Sequence, residues 1–83
     1  MTYGQIEETV KEILAKQLTM EVGRINLDSR LVEDLGVDSF GSVEVAFELE
    51  EKFNIKIPDA ALYEAKTVKN IVDYIASVQE GSK

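Results

Sequence analysis

Apolar side chains recur along this chain at the three- and four-residue spacing of an α-helix, and this periodicity narrows the possible folds. The first run has apolar residues at positions 6, 10, 13, 14 and 18, and the last has them at 68, 71, 72 and 75. No segment alternates apolar and polar residues with the two-residue period of a strand. We therefore expect an all-α fold, a four-helix bundle of three longer helices and a short third one.

Capping residues set the expected helix limits. Thr2 followed by Gln5 predicts a capping box at the start of a helix that ends near residue 17 or 18. A second helix is expected from residue 38 or 39 to about 52, with Asn54 marking its end. Asp59 is the expected N-cap of the short third helix, which runs to about residue 65, and Thr67 caps the fourth.

Residues 19–37 are expected to form a long loop, because glycines and turn-forming residues interrupt the helical spacing there. Long loops in compact domains are usually functional. Residues 31–35 could form a short helical turn. Four apolar side chains are expected to pin the loop to the core, namely Leu27, Leu31, Val32 and Leu35.

Length and composition exclude several classes of protein. The 83 residues allow one domain, 1–83, with an expected ordered core of about 3–78. Without cysteine or histidine there can be no disulfide, thiolate metal site or Ser-His-Asp triad, so we expect neither a catalytic residue nor a metal site. Residues 1–8 lack the pattern of a secretory signal, and no apolar run is long enough to span a membrane. We expect a cytoplasmic monomer without stable membrane insertion.

The acidic charge is concentrated in one segment. The net charge is −7, and residues 28–51 account for all of it with eight acidic residues and one basic residue. A nucleic-acid-binding protein would need the opposite sign. A localised acidic field favours basic protein partners, although a solvated helix face would show the same composition.

The second helix has two apolar faces when its residues are placed about 100° apart. The expected core face consists of Val45, Ala46, Leu49 and Phe53. The opposite stripe consists of Phe40, Val43 and Phe47, with Glu44 and Glu51 among them. A second stripe predicts a surface that docks an apolar and basic partner, unless one phenylalanine packs against the long loop.

Gly36-Val37-Asp38-Ser39-Phe40 joins the long loop to this helix. Asp38 is suited to cap the helix, and Ser39 then lies in its first turn with the hydroxyl near solvent. A phosphate esterified to Ser39 would be well placed at the helix N-terminus. An Asp-Ser pair that only caps a helix would look the same.

Three separated segments resemble the acyl carrier protein family. The run Leu31-Val32-Glu33-Asp34-Leu35-Gly36-Val37-Asp38-Ser39-Phe40 is similar to the family signature that ends Asp-Leu-Gly-x-Asp-Ser-Leu. Glu48-Leu49-Glu50-Glu51-Lys52-Phe53-Asn54-Ile55-Lys56-Ile57-Pro58 is similar to its Leu-Glu-Glu-x-Phe-x-x-x-Ile-Pro segment. Thr67-Val68 and Asp73-Tyr74-Ile75 are similar to its last helix.

This resemblance implies a carrier without catalysis of its own. Ser39 would receive 4′-phosphopantetheine from coenzyme A, transferred by a phosphopantetheinyl transferase that needs magnesium and contacts Asp38. The thiol of the arm would hold acyl groups as thioesters, sheltered between the second, third and fourth helices. Acyl-transfer, ketosynthase or acyl-activating enzymes with basic patches would dock on Asp38, Phe40, Val43, Glu44, Phe47, Glu50 and Glu51.

Four residues depart from the family pattern: Phe40 after the serine, Gly41 in place of an acid, the bulky Phe47, and the small Ala65. They suggest a specialised carrier in a secondary or lipid-modification pathway, outside the housekeeping fatty-acid cycle, with Ala65 widening the acyl pocket. Two alternatives remain open. One is a D-alanyl or peptidyl carrier, although peptidyl carriers usually have Gly-Gly-x-Ser at this place. The other is an unmodified acidic helical adaptor.

Overall fold

Four α-helices make up the fold in the computed structural model, which describes residues 2–81. The helices are α1 (Tyr3–Leu18), α2 (Ser39–Phe53), α3 (Asp59–Glu64) and α4 (Val68–Gly81). Within 2–81 there is no strand, only an isolated antiparallel bridge between Arg30 and Thr67. The all-α prediction with a short third helix is confirmed.

The ends of α1 and α2 follow the capping residues in the sequence. Thr2 and Gln5 form a capping box, in which each side chain accepts the backbone N–H of the other residue. Thr19 is the C-cap of α1 and Asn54 is the C-cap of α2, and both residues adopt the left-handed conformation with φ of 55°. Asparagine is one of the residues that tolerate this conformation, so Asn54 stops α2 as predicted.

The predicted start of α3 is wrong by one residue. Pro58 is the N-cap, and Asp59 is the first helical residue. Proline has no N–H to leave unsatisfied, and its carbonyl accepts the first intrahelical bond, from the N–H of Leu62 at 3.2 Å. Asp59 instead interacts favourably with the positive end of the helix. α4 continues through Gly81, three residues past the expected end of the ordered core.

α1 packs against both α2 and α4, and one hydrophobic core joins them. The predicted apolar faces of all three helices supply this core. Its buried helical residues are Ile6, Val10, Leu14, Val45, Leu49, Phe53, Val68, Ile71, Val72 and Ile75. Burying an aliphatic side chain of this kind stabilises the fold by about 1.5–3 kcal/mol.

The long loop is attached to the start of α4 by backbone hydrogen bonds. Leu31 N–H donates to the carbonyl of Lys66 at 2.9 Å, and Val68 N–H donates to the carbonyl of Ser29 at 3.1 Å. The N–H of Lys69 also donates to the carbonyl of Leu27. The loop also contains a 3₁₀ turn, Val22–Arg24, which the sequence analysis did not predict. The loop therefore has a fixed path across the bundle.

The apolar contacts of the loop differ in part from the prediction. Leu31 and Leu35 are buried and Leu27 is partly buried, as expected. The prediction that Val32 belongs to the core is wrong, because 67% of the residue is exposed. Residues 31–35 form hydrogen-bonded turns without becoming a helix, and these turns direct Leu31 inward and Val32 outward. Ile25 and Val37 are the other buried apolar residues of the loop.

A polar cluster joins α1 to α4. The Tyr3 hydroxyl donates to Asp73 Oδ1 at 2.5 Å, and Lys69 Nζ lies 2.8 Å from Asp73 Oδ2. The hydrogen bond from Lys69, and then that from Tyr3, holds the pKa of Asp73 below its usual range. None of the helices in 2–81 is both long and apolar enough to cross a membrane.

Candidate functional site

A tight turn connects the loop to α2. Gly36 has φ of 73°, a left-handed conformation that glycine adopts without the cost of a Cβ. Its N–H donates to the carbonyl of Val32 at 3.1 Å, and the next N–H, of Val37, donates to the carbonyl of Leu31 at 2.8 Å. Val37 is buried and anchors the turn, which leaves Asp38 at the surface.

Asp38 caps α2. Its Oδ1 accepts the backbone N–H of Gly41 at 2.6 Å, and its extended backbone precedes the first helical residue, Ser39. A Cβ built on Gly41 would lie 3.0 Å from the same oxygen, so the missing side chain leaves room for this short bond. Gly41, a departure from the family pattern, thus accommodates a tight cap directly after Ser39.

Ser39 is exposed at the first position of α2. Its carbonyl accepts a hydrogen bond from Ser42 Oγ at 2.9 Å, whereas no described residue hydrogen-bonds to its hydroxyl. The hydroxyl is thus accessible, and backbone N–H groups of the first helical turn lie beside it. An anionic phosphoester on this oxygen would fit the site.

Ser39 lies at the edge of a cavity of about 370 Å³. This volume is within the usual range for ligand pockets. α2 contributes Val45, Ala46 and Leu49, and further lining comes from α3, α4 and the loop. Ala65, the C-cap of α3, also lines the cavity, as the sequence suggested. A flexible group attached to Ser39 could therefore place an apolar cargo between the helices.

The outer face of α2 carries the predicted second apolar stripe. Phe40, Val43 and Phe47 are 72%, 60% and 58% exposed, so neither phenylalanine is tucked against the loop. Val45, Ala46, Leu49 and Phe53 on the opposite face are buried, as predicted. The two faces of one helix thus have separate roles, one in the core and one towards solvent.

The acidic residues on and beside α2 differ in their exposure and in their hydrogen bonds. Asp38, Glu44 and Glu51 are exposed, and no salt bridge within 2–81 involves them. Glu50 is half-buried, and its Oε2 accepts the backbone N–H of Ile57 at 2.7 Å. This bond ties the end of α2 to the connection before α3, so Glu50 has a structural contact in addition to its predicted docking role.

Several residues that line the cavity were not predicted as site residues from the sequence. They are Ser42, Tyr63, Lys66, Asn70 and Tyr74. Asn70 and Tyr74 are four residues apart on α4 and therefore share a face. That spacing is visible in the sequence, but the apolar stripe of α4 gives no sign that its polar neighbours border a cavity.

Comparison with known proteins gives a consistent result. A family model described as a phosphopantetheine attachment site matches residues 8–75. An acyl carrier protein of Aster yellows witches'-broom phytoplasma is 46% identical over 70 residues, covering 84% of this chain and 92% of the relative. One from Akkermansia muciniphila is 38% identical over 79 residues, covering 95% and 99%.

A solved structure of a candidate acyl carrier protein from Mycobacterium tuberculosis has the same fold. It superposes with a TM-score of 0.82 at 30% identity, covering 87% of this chain and 96% of that one. The prosthetic group of the matched family is covalent phosphopantetheine. Together with the helical architecture and the exposed serine at the start of α2, these matches establish that the chain belongs to the acyl carrier protein family.

Proposed function

We propose that this chain carries acyl intermediates as thioesters on a 4′-phosphopantetheine arm attached to Ser39. The observation that carries the proposal is the combination of an accessible hydroxyl and an adjacent cavity. The bound arm supplies a thiol, which the chain lacks because it has no cysteine. The chain itself supplies the attachment oxygen, the capped helix that holds it, and the apolar walls.

Asp38 has two functions in this proposal. Its carboxylate holds the first turn of α2 through the N–H of Gly41, which fixes the backbone of Ser39. Its charge lies next to the hydroxyl that a phosphopantetheinyl transferase must reach, where a basic or magnesium-bearing transferase site would be attracted. Ser39 Oγ would attack the pyrophosphate phosphorus of coenzyme A that bears the pantetheine. The new P–O bond would form as the pyrophosphate P–O bond breaks, 3′,5′-ADP would leave, and the hydroxyl proton would pass to the transferase or to water.

The outer face of α2 is the proposed docking surface for the transferase and the acyl-handling enzymes. The apolar stripe of Phe40, Val43 and Phe47 lies among the exposed acids Glu44 and Glu51, which form no salt bridge with any described residue. Glu50 lies nearby but shares its carboxylate with Ile57 N–H. Basic residues on a partner would find the exposed carboxylates unpaired, and a partner's apolar side chains would cover the stripe.

The residues that depart from the family pattern favour a role in a specialised pathway over a role in the housekeeping fatty-acid cycle. Phe40 and Gly41 alter the docking surface directly beside Ser39, and Ala65 leaves space in the wall of the cavity. We assign the carrier to the cytoplasm, where coenzyme A and the transferase would meet it. Efficient turnover of the loaded protein by a housekeeping fatty-acid synthase would contradict the specialised role.

Incubation with coenzyme A, magnesium and a transferase, followed by intact mass measurement, tests the attachment. We expect one 4′-phosphopantetheine adduct on the natural chain and none on Ser39→Ala. Ser42→Ala is the matched control, because Ser42 also carries a hydroxyl at the cavity. An adduct that survives in Ser39→Ala would place the attachment on another residue and overturn the proposal. No adduct on the natural chain would also overturn it and would favour an unmodified adaptor.

A further inference from the structure

Arg30 is the only basic residue in the acidic segment 28–51, and its guanidinium group lies against two of the acids. Its Nη1 is 2.7 Å from Glu33 Oε2, and its Nε is 3.4 Å from Asp34 Oδ2. Its Nη2 is 3.5 Å from Asp34 Oδ1, so the group faces both oxygens of that carboxylate. These three residues, the Arg30 cluster, contain two acids and one base and therefore sum to a charge of −1.

Backbone hydrogen bonds hold the Arg30 cluster in place on the loop before Ser39. Asp34 Oδ2 also accepts the backbone N–H of Arg30 at 2.8 Å, and the N–H groups of Asp34 and Leu35 donate to the Arg30 carbonyl at 2.9 and 3.1 Å. The hydrogen bonds from the backbone and side chain of Arg30 hold the pKa of Asp34 below its usual range, so this carboxylate stays charged. Glu33 and Ser39 border the same cavity, which places the cluster near the attachment oxygen.

The ion pairs of the Arg30 cluster are too exposed to matter much for stability. The side chains of Arg30, Glu33 and Asp34 are 58%, 63% and 42% exposed, and ion pairs at such sites usually stabilise a fold very little. Their effect on an approaching protein is larger, because the field of exposed charges steers the encounter and fixes its orientation. The cluster therefore bears on where a charged partner docks.

The exposed acids of α2 have no such basic neighbour. Asp38, Glu44 and Glu51 form no salt bridge with any described residue. Their charges act in full on a basic partner, whereas Arg30 offsets one of the two negative charges on the loop. We propose that Arg30 is a specificity-determining residue, which screens the loop acids so that basic partners dock along α2 and not on the loop before Ser39.

The inference rests on the proposed docking of the transferase, and NMR mapping tests it. The ¹⁵N-labelled carrier is titrated with the transferase in the absence of coenzyme A, so that binding is observed without modification. The measured quantity is the mean backbone amide shift change over residues 28–35 divided by that over residues 39–51. This ratio should be small for the natural chain, because the shift changes should be concentrated on α2.

Arg30→Gln removes the charge and keeps the backbone hydrogen bonds of the turn. We expect it to raise the ratio at least about twofold, the effect of one exposed ion pair gained on the loop. Adding Glu33→Gln to this variant should return the ratio towards the natural value, because the unscreened carboxylate is then gone. Arg30→Lys keeps the charge without the planar fork and should behave as the natural chain does.

Arg24→Gln is the matched control for net charge. Arg24 lies in the 3₁₀ turn and forms no salt bridge with a described residue, so its substitution changes the net charge equally but leaves the Arg30 cluster intact. It should leave the ratio unchanged. A rise as large as that in Arg30→Gln would overturn the inference, because net charge alone would then explain the effect.

An unchanged ratio in Arg30→Gln would also overturn the inference, as would a rise of the same size in Arg30→Lys, because the charge of Arg30 would then not be the cause. The amide spectrum of each variant shows whether the fold is kept, and Arg30→Met takes the place of Arg30→Gln if that variant unfolds. Failure of the transferase to modify Ser39 in the mass measurement would contradict the proposed function instead, so the two failures are distinguishable.

Discussion

The carboxylate of Asp38 and the backbone N–H of Gly41 are joined by a 2.6 Å hydrogen bond that closes the first turn of α2. Ser39 lies inside this turn, and its backbone is therefore held while its hydroxyl stays exposed. The turn depends on two special backbone positions, the left-handed Gly36 before it and the side-chain-free Gly41 within it. The stability of this turn and the proposed modification of Ser39 thus depend on the same few residues.

Two substitutions of Asp38 distinguish the effect of its helix cap from the effect of its charge. Asp38→Ala should lower the free energy of unfolding by about 1 kcal/mol, because the N–H of Gly41 loses its acceptor. Asp38→Asn keeps an acceptor oxygen, so its free energy of unfolding should stay near that of the natural chain. The transferase should nevertheless modify it more slowly, because the negative charge is gone. Urea unfolding and a loading time course measure the two effects. Equal destabilisation by both substitutions would show that the cap is not the cause.

Gly36→Ala should destabilise the fold by about 1–2 kcal/mol, because a Cβ is disfavoured at φ of 73°. Gly23→Ala is the matched control. Gly23 has no left-handed φ, and a Cβ added there would meet nothing within 4 Å, so its substitution should change stability by less than about 0.5 kcal/mol. Thermal or urea unfolding compares the two. Similar losses for both glycines would argue against the conformational explanation.

The two faces of α2 should respond differently to substitution. Phe40→Ser removes a ring that is 72% exposed, so stability should change by less than about 0.5 kcal/mol while affinity for a cognate partner falls. Leu49→Ala empties a buried site and should cost about 2–5 kcal/mol. Unfolding free energies and calorimetric titration with the transferase measure both. A strongly destabilised Phe40→Ser would mean that the stripe belongs to the core.

The Tyr3–Asp73–Lys69 cluster predicts a loss of stability in acid. The pKa of Asp73 is lowered in the folded chain, chiefly by the hydrogen bond from Lys69 and then by that from Tyr3. Its stabilising contribution is therefore present above the unfolded pKa of about 3.9 and is lost as pH falls through the lower, folded value. Asp73→Asn should be less stable than the natural chain at neutral pH, and the difference should shrink below about pH 4.

Tyr3→Phe is the matched control for this cluster, because it removes one hydrogen bond and keeps the Lys69–Asp73 ion pair. The stability of this variant should still fall in acid, though by less than that of the natural chain. Urea unfolding at several pH values measures each curve. A difference between Asp73→Asn and the natural chain that stays constant from neutral pH to pH 3 would contradict the linkage.

Local sequence signals predicted most of the helical architecture. The faces of α1, α2 and α4 follow from the spacing of apolar residues, and Thr2, Asp38 and Asn54 cap helices as expected, because capping involves only neighbouring residues. The exposed stripe on α2 was also predictable, since Phe40 and Phe47 lie opposite Leu49 on the helical wheel.

Features that depend on distant parts of the chain were not predictable. The direction of Val32 is set by the turns around it and by the pairing of Leu31 with Lys66, which is 35 positions away in the sequence. The bond from Tyr3 to Asp73 joins residues separated by 70 positions. The cavity beside Ser39 likewise forms only where residues of α2, α3, α4 and the loop come together. No single segment contains this information.

Mass spectrometry of the protein isolated from its own cells tests the central claim most directly. Intact mass, followed by fragmentation of the peptide that contains Asp38-Ser39-Phe40, locates any modification to a single residue. We predict a phosphopantetheine ester on Ser39, with or without an acyl group on its thiol. An unmodified Ser39 in all of the isolated protein, or the group on Ser42 instead, would contradict the account.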